Sequence, residues 1–164
     1  MDLVDEILSD WSKQRPDIDC SGKEVVGRML RFYSRYISTV EKSLKKLKIA
    51  PNVFSVLVTI RRKGAHAEIN VKDIIPGVLI TSGAMSNLII RLVNTGLVSK
   101  RQDSLDARSM LVQLTPKGLA LIDEAMEIQA ACERKLTERL TDDEKSQLSQ
   151  LLRKVLPEDP FYVE

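Results

Sequence analysis

The sequence predicts a mainly α-helical fold that carries one small β-hairpin. Three observations carry this expectation. Long stretches on both sides of the chain's centre repeat apolar residues at helical spacing, as in Val25, Met29, Phe32, Tyr36, Val40 and Leu44. Two short β-prone runs, Leu97-Val98 and Leu111 to Leu114, flank the polar stretch Lys100 to Ser109. Ahead of them the chain is punctuated by Pro76-Gly77 and Gly96, which break helices.

Taken in order, residues 2–13 read as an amphipathic helix through Leu3, Ile7 and Trp11, ended by Arg15-Pro16-Asp17. Ser21 caps the next helix, with Glu24 completing a capping box, and that helix runs to about Leu47. Pro51 opens a helix with Val53, Leu57 and Ile60 on one face, stopped by Gly64. Glu68-Ile69 is extended, and Asn70 caps a short helix that Pro76-Gly77 breaks. Thr81 or Ser82 caps a helix to about Asn94, with Met85, Leu88, Ile89, Leu92 and Val93 as its apolar stripe and Gly96 as its left-handed stop. After the hairpin, Thr115-Pro116 starts a long helix to about Leu140. Thr141 and Glu144 form a second capping box, and the last helix carries Leu148, Leu151, Leu152 and Val155 until Pro157.

The composition narrows the class. With 43% hydrophobic and 29% charged residues, 164 residues can bury a core. The acidic start and the lack of a membrane-length apolar run read as a cytoplasmic protein with no membrane partner. Net charge is only +2, so the placement of charge matters more: Lys42 to Lys48, Arg61 to Lys63, and Lys100, Arg101 and Arg108 cluster. Cys20 and Cys132 lie far apart and His66 is the one histidine, so no metal site is expected. No glycine-rich phosphate loop or convergent acid–base set suggests an enzyme, and no cofactor is expected.

Short helix, turn, helix and hairpin follow one another in the order of a winged helix-turn-helix, whose second helix enters the DNA major groove by its N-terminal end. Here that end is small and polar: Thr81, Ser82, Gly83, Ala84, Ser86 and Asn87. Hydroxyls and helix N-terminal amides suit phosphates, and Asn87 has the chemistry to read an adenine edge. The same residues also suit a cap and an ordinary solvated face. Arg108, at the hairpin tip with Asp106 two residues before it, suits a narrow minor groove or an ordinary charged turn.

The stretch ITSGAMSNLIIRLVNTGLVSKRQDSLDARSMLVQLTPKG, residues 80–118, resembles the MarR family of bacterial transcriptional regulators. The resemblance rests on Gly96-Leu97-Val98 after the second helix, Asp106 and Arg108 in the wing, and Leu114, Thr115 and Gly118 at the next helix start. It implies a repressor that binds double-stranded DNA as a homodimer, with residues 1–48 and 119–164 holding dimerisation helices around a DNA-binding lobe at 49–118. The implied DNA contacts are Ser82, Ala84, Ser86 and Asn87, with Arg91 near a phosphate and Arg101, Asp106 and Arg108 on the wing. The two recognition helices would meet successive major grooves roughly 34 Å apart, on an inverted repeat.

The N-terminal tryptophan helix, Arg15 to Asp19, Val25 to Arg28 and Ser82 to Met85 are similar to the urate-responsive branch of that family. This chain has Ser55 and Leu88 where that branch has charged ligand residues, and Ile90 where it has an aspartate. The expected effector is therefore a less polar aromatic or anionic compound, held among Trp11, Arg28, Phe32, Ser55 and Leu88, between the dimer helices and the DNA-binding lobe. Two alternatives are a thiol switch at Cys20, beside a helix start that can lower a thiol pKa, and an interaction module that kept the fold but lost DNA binding, suggested by Leu88 and Ile90.

Overall fold

In the computed structural model, described over residues 1–78, 82–104, 106 and 109–156 (Ser82 by its backbone), caps and apolar spacing decide where helices begin. Helix α1 (Leu3–Gln14) starts at Asp2. Its carboxylate accepts from the Val4 and Asp5 amides, and the Asp5 carboxylate accepts from the Asp2 amide. This reciprocal cap satisfies amides that a helix start leaves without partners. The helix ends before Arg15, which proline follows.

Helix α2 (Ser21–Lys45) departs from expectation at its start. Ser21 is its first helical residue rather than its cap, and the Asp19 carboxylate takes the Ser21 amide at 2.9 Å. That carboxylate occupies the amide that Glu24 would accept from in a capping box. Glu24 lies 3.9 Å from Arg28 instead. The helix stops two residues earlier than expected, in a turn where Lys48 takes a left-handed φ of 54°.

The chain divides into two compact units, Met1–Lys42 and Ser43–Glu164. In the first, Val4 is buried against α2 at Gly27, where a Cβ would lie 3.2 Å from Val4 Cγ1. The small residue lets the two helices approach.

In the second unit, α3 (Pro51–Arg61) opens on its proline and buries Val53, Leu57 and Ile60 as expected, with Phe54, Val56 and Thr59 as well. Strand β1 (Ile69–Asn70) leads into α4 (Val71–Ile74), whose Lys72 amide donates to the Asn70 side chain. A single 3-10 turn (Ile75–Gly77) follows, then α5 (Ser82–Asn94), β2 (Val98–Gln102) and β3 (Met110–Leu114). The strands form one antiparallel sheet in the order β1-β3-β2, so the expected hairpin gains a third strand. Ile69 and Lys100 both register on Val112.

Helix α6 (Pro116–Leu136) is capped by Thr115 and packs on α3, with the Arg61 guanidinium 2.7 Å from Asp123. It ends four residues short of the expected Leu140. The Thr137 hydroxyl donates back to the Glu133 carbonyl, and the chain turns there. Helix α7 (Asp142–Val155) carries the expected Thr141–Glu144 capping box but has no buried residue. Leu57, Ile60, Ile74, Met85, Leu92, Val112 and Ile122 have almost no solvent contact and form the core that supports α5 and the sheet.

Candidate nucleic-acid interface

Helix α5 sorts its residues by face, as a 3.6-residue period requires. Met85, Leu88, Ile89 and Leu92 are buried, while Gly83, Ala84, Ser86, Asn87 and Arg91 are exposed. A Cβ on Gly83 would meet nothing within 4 Å, so packing does not demand a glycine there. The first turn holds no acidic residue, so the positive end of the helix is not offset by its own side chains. The outward surface of this N-terminal half is small, polar and uncharged, with Arg91 one to two turns further along. Thr81 lies outside the described residues, as does the side chain of Ser82.

The other end of α5 is fixed by the residues that open α6. Gly96 turns the chain with a φ of 69°. The Lys117 ammonium donates to the Thr95 carbonyl at 2.9 Å, and the Thr115 hydroxyl to the Gly96 carbonyl at 2.6 Å. The Thr115 amide donates to the Leu97 carbonyl at 3.1 Å. Thr115 also accepts from the Gly118 amide, as the helix cap. Gly118 lies directly over the Leu97 carbonyl, where no side chain fits.

In the wing, the Asp106 carboxylate accepts from the Ser109 hydroxyl at 2.8 Å, and the Asp106 carbonyl accepts from the Ser109 amide. Asp106 thus closes the loop on Ser109. Arg108, the expected wing contact, lies outside the described residues. Arg101 is half exposed and is engaged by a carboxylate. Its Nε and Nη2 donate to the two carboxylate oxygens of Glu68 at 2.6 and 2.5 Å. That bond holds the Glu68 carboxyl below its usual range and raises the Arg101 guanidinium.

A winged helix DNA-binding domain model matches residues 52–118, the span from α3 to the start of α6. The transcriptional regulator PecS of Dickeya dadantii is 30% identical over 93% of this chain and 92% of its own length. The chain belongs to the MarR family of transcriptional regulators. A mutant MarR from Escherichia coli complexed with operator DNA superposes with a TM-score of 0.69 at 27% identity, covering 96% of this chain and all of that one. Bordetella bronchiseptica BpsR, described as regulated in its DNA binding by 6-hydroxynicotinic acid, superposes with a TM-score of 0.67 at 26% identity, over 80% of this chain and 91% of that one. This MarR-family chain is a DNA-binding regulator of transcription with a winged helix-turn-helix. No helix among its described residues is long and apolar enough to cross a membrane.

The five expected effector residues of this regulator fall in both units, three in the first and two in the second. Trp11 lines a cavity with Ile7, Asp10 and Gln14, and Phe32 lines another with Arg31, Ser34, Arg35 and Ser38. Arg28 is already occupied: its Nε donates to Asp2 at 3.0 Å and its Nη2 to Asp5 at 2.5 Å. Ser55 turns its hydroxyl back to the Pro51 carbonyl, and Leu88 is 5% exposed in the core. The change to leucine at 88 therefore serves packing, and α5 forms its full length with Ile90 exposed on it. Helix α5 is continuous through both departures.

A third, largely apolar groove went unseen in the sequence. It runs beside α5, holds about 400 Å³, and is lined by Val71, Ile75, Ser86, Ile89, Ile90, Lys100 and Met110 among others. Its residues come from β1, α4, the 3-10 turn, α5, β2 and β3, and only Ile90 hinted at it. Both cysteines are free thiols, and Cys132 Sγ lies 3.2 Å from Ser43 Oγ. Among the described residues no three metal-binding side chains cluster.

Proposed function

We propose that this regulator is a repressor that binds an inverted-repeat operator as a homodimer and is released by a small aromatic or anionic ligand. The carrying observation is the outward face of α5. Ala84, Ser86 and Asn87 lie exposed on its N-terminal half, and Gly83 is a glycine that the fold does not need. With Ser82 they would meet the major groove, Asn87 reading an adenine edge and Arg91 reaching a phosphate. Arg108 would enter the minor groove from the wing. The likeness to MarR complexed with operator DNA supports this reading.

The helices at 1–48 and 119–164 would build the dimer. Exposed Leu148, Leu151 and Val155 on α7 form an apolar row that a second copy would cover. The effector reading is supported by BpsR, whose DNA binding is described as regulated by 6-hydroxynicotinic acid. The groove beside Ser86 offers such a compound apolar walls and two cations, Lys72 and Lys100, for a carboxylate. A ligand there would act by preferring one arrangement of α5 and the wing.

The test is a footprint of the duplex upstream of the regulator's own gene against a mixed-sequence duplex, over a salt series. The expected result is a protected inverted repeat with half-sites about one helical turn apart and affinity falling steeply with salt. Equal, unpatterned protection of both duplexes would sink site-specific repression.

A further inference from the structure

Glu68 and Arg101 are 33 residues apart in sequence and belong to opposite edges of the sheet. Glu68 directly precedes β1, Arg101 lies in β2, and β3 runs between them. Arg101 registers on Leu111, and Leu111 on Asn70. Glu68 is two residues before Asn70, so it falls on the same face of the pleat as Arg101. The Arg101 side chain thus crosses β3 to reach its partner. Each guanidinium nitrogen has an acceptor: Nε and Nη2 donate to the two Glu68 oxygens, and Nη1 donates to the Gln102 carbonyl at 3.2 Å. Gln113 Nε2 adds a bond from β3 to the His66 carbonyl at 2.8 Å, just before Glu68. The wing loop begins at Asp103, two residues after Arg101.

A paired fork of this kind fixes direction as well as distance. It is an exception among surface ion pairs, which are usually worth little, because both oxygens and both nitrogens are engaged. We propose that Glu68 and Arg101 form a strap across the sheet that sets the pitch of the wing for DNA. Arg101 is then a positioning residue and meets no phosphate, while Glu68, an acidic residue on a DNA-binding lobe, aids binding. This rests on the reading that the wing meets DNA.

The test uses the full chain in fluorescence anisotropy, with the duplex upstream of its own gene and with a mixed-sequence duplex. The variants are E68Q, R101Q, E68R, R101E and the reversed pair E68R/R101E, each first checked by thermal melting. Each single change is expected to weaken upstream binding about tenfold, and the reversed pair to recover to within about threefold of the parent. R101Q should keep the parent's slope of log affinity on log salt. A slope reduced by about 0.9 in R101Q would show a direct phosphate contact and overturn the proposal. Parental affinity in E68Q, or a reversed pair as weak as R101E, would overturn it too. If the charge reversals do not melt cooperatively, E68Q and the R101Q slope decide. A parent that binds neither duplex at low salt would defeat the DNA reading itself, an outcome the variants cannot mimic.

Discussion

A Cβ on Gly118 would lie 1.9 Å from the carbonyl oxygen of Leu97. Neither atom can yield, because one belongs to the opening turn of α6 and the other to the backbone that enters β2. Gly118→Ala should therefore destabilise the regulator by about 3 kcal/mol or more, at the upper end of overpacking costs. Urea denaturation measures it. A loss below about 1 kcal/mol would mean that α6 can start elsewhere.

Gly83 is the opposite case. Its surroundings are open, and it sits in a helix where glycine is a poor former. Gly83→Ala should stabilise the fold by about 0.5–1 kcal/mol. If the backbone approaches DNA there, Gly83→Leu should keep the fold and lower upstream-duplex affinity by at least about tenfold, 1.4 kcal/mol. Unchanged affinity in Gly83→Leu would place the reading face elsewhere on α5.

These two glycines show what the sequence made legible. The stop at Gly96, the Thr115 cap and the Thr141–Glu144 box depend on neighbours within a turn, so local spacing announced them. The Ser21–Glu24 box failed for a local reason as well: Asp19 accepts from the Ser21 amide that Glu24 would have taken. Strand β1, with two residues, is too short to show an alternation. The partners of Arg28 and Arg101 lie 23 to 33 residues away in sequence. Both arginines therefore read as open cations when the fold had already spent their donors. The groove beside α5 was hidden for the same reason, since no single stretch of chain contains it.

The contact of α1 with Arg28 should respond to acid. The Asp5 carboxyl is held below its ordinary value of 3.8, first by the Asp2 amide and then by the Arg28 guanidinium. A depressed carboxyl stabilises the folded form fully above its unfolded value and ceases to do so as pH falls through the folded one. The α1 contact should thus be complete above the ordinary 3.8 and loosen below it. Trp11, the one tryptophan, lies on α1 and reports this by fluorescence. Arg28→Gln should shift the change to higher pH. Parental and Arg28→Gln traces that coincide would mean the guanidinium does not hold α1.

The apolar row on α7 should prove to be an interface. Leu151 is 59% exposed and Val155 61%. In a two-fold dimer each substitution counts twice, and each buried leucine contributes about 1.5–3 kcal/mol. Leu151→Glu should weaken self-association at least a hundredfold, about 2.8 kcal/mol, by sedimentation equilibrium. A dimer of parental strength would exclude this face.

Thr95, Gly96 and Leu97 give up their carbonyls in succession to Lys117 and Thr115. The exit of α5 is therefore geared to the first turn of α6 with no slack residue between them. Any tilt of α6 would act through a long arm on a short one that carries Ser86 and Asn87. A tilt that moves the far end of α6 by a helix turn would reach α5 as a small rotation, and the pitch of its outward face would follow from where α6 is held.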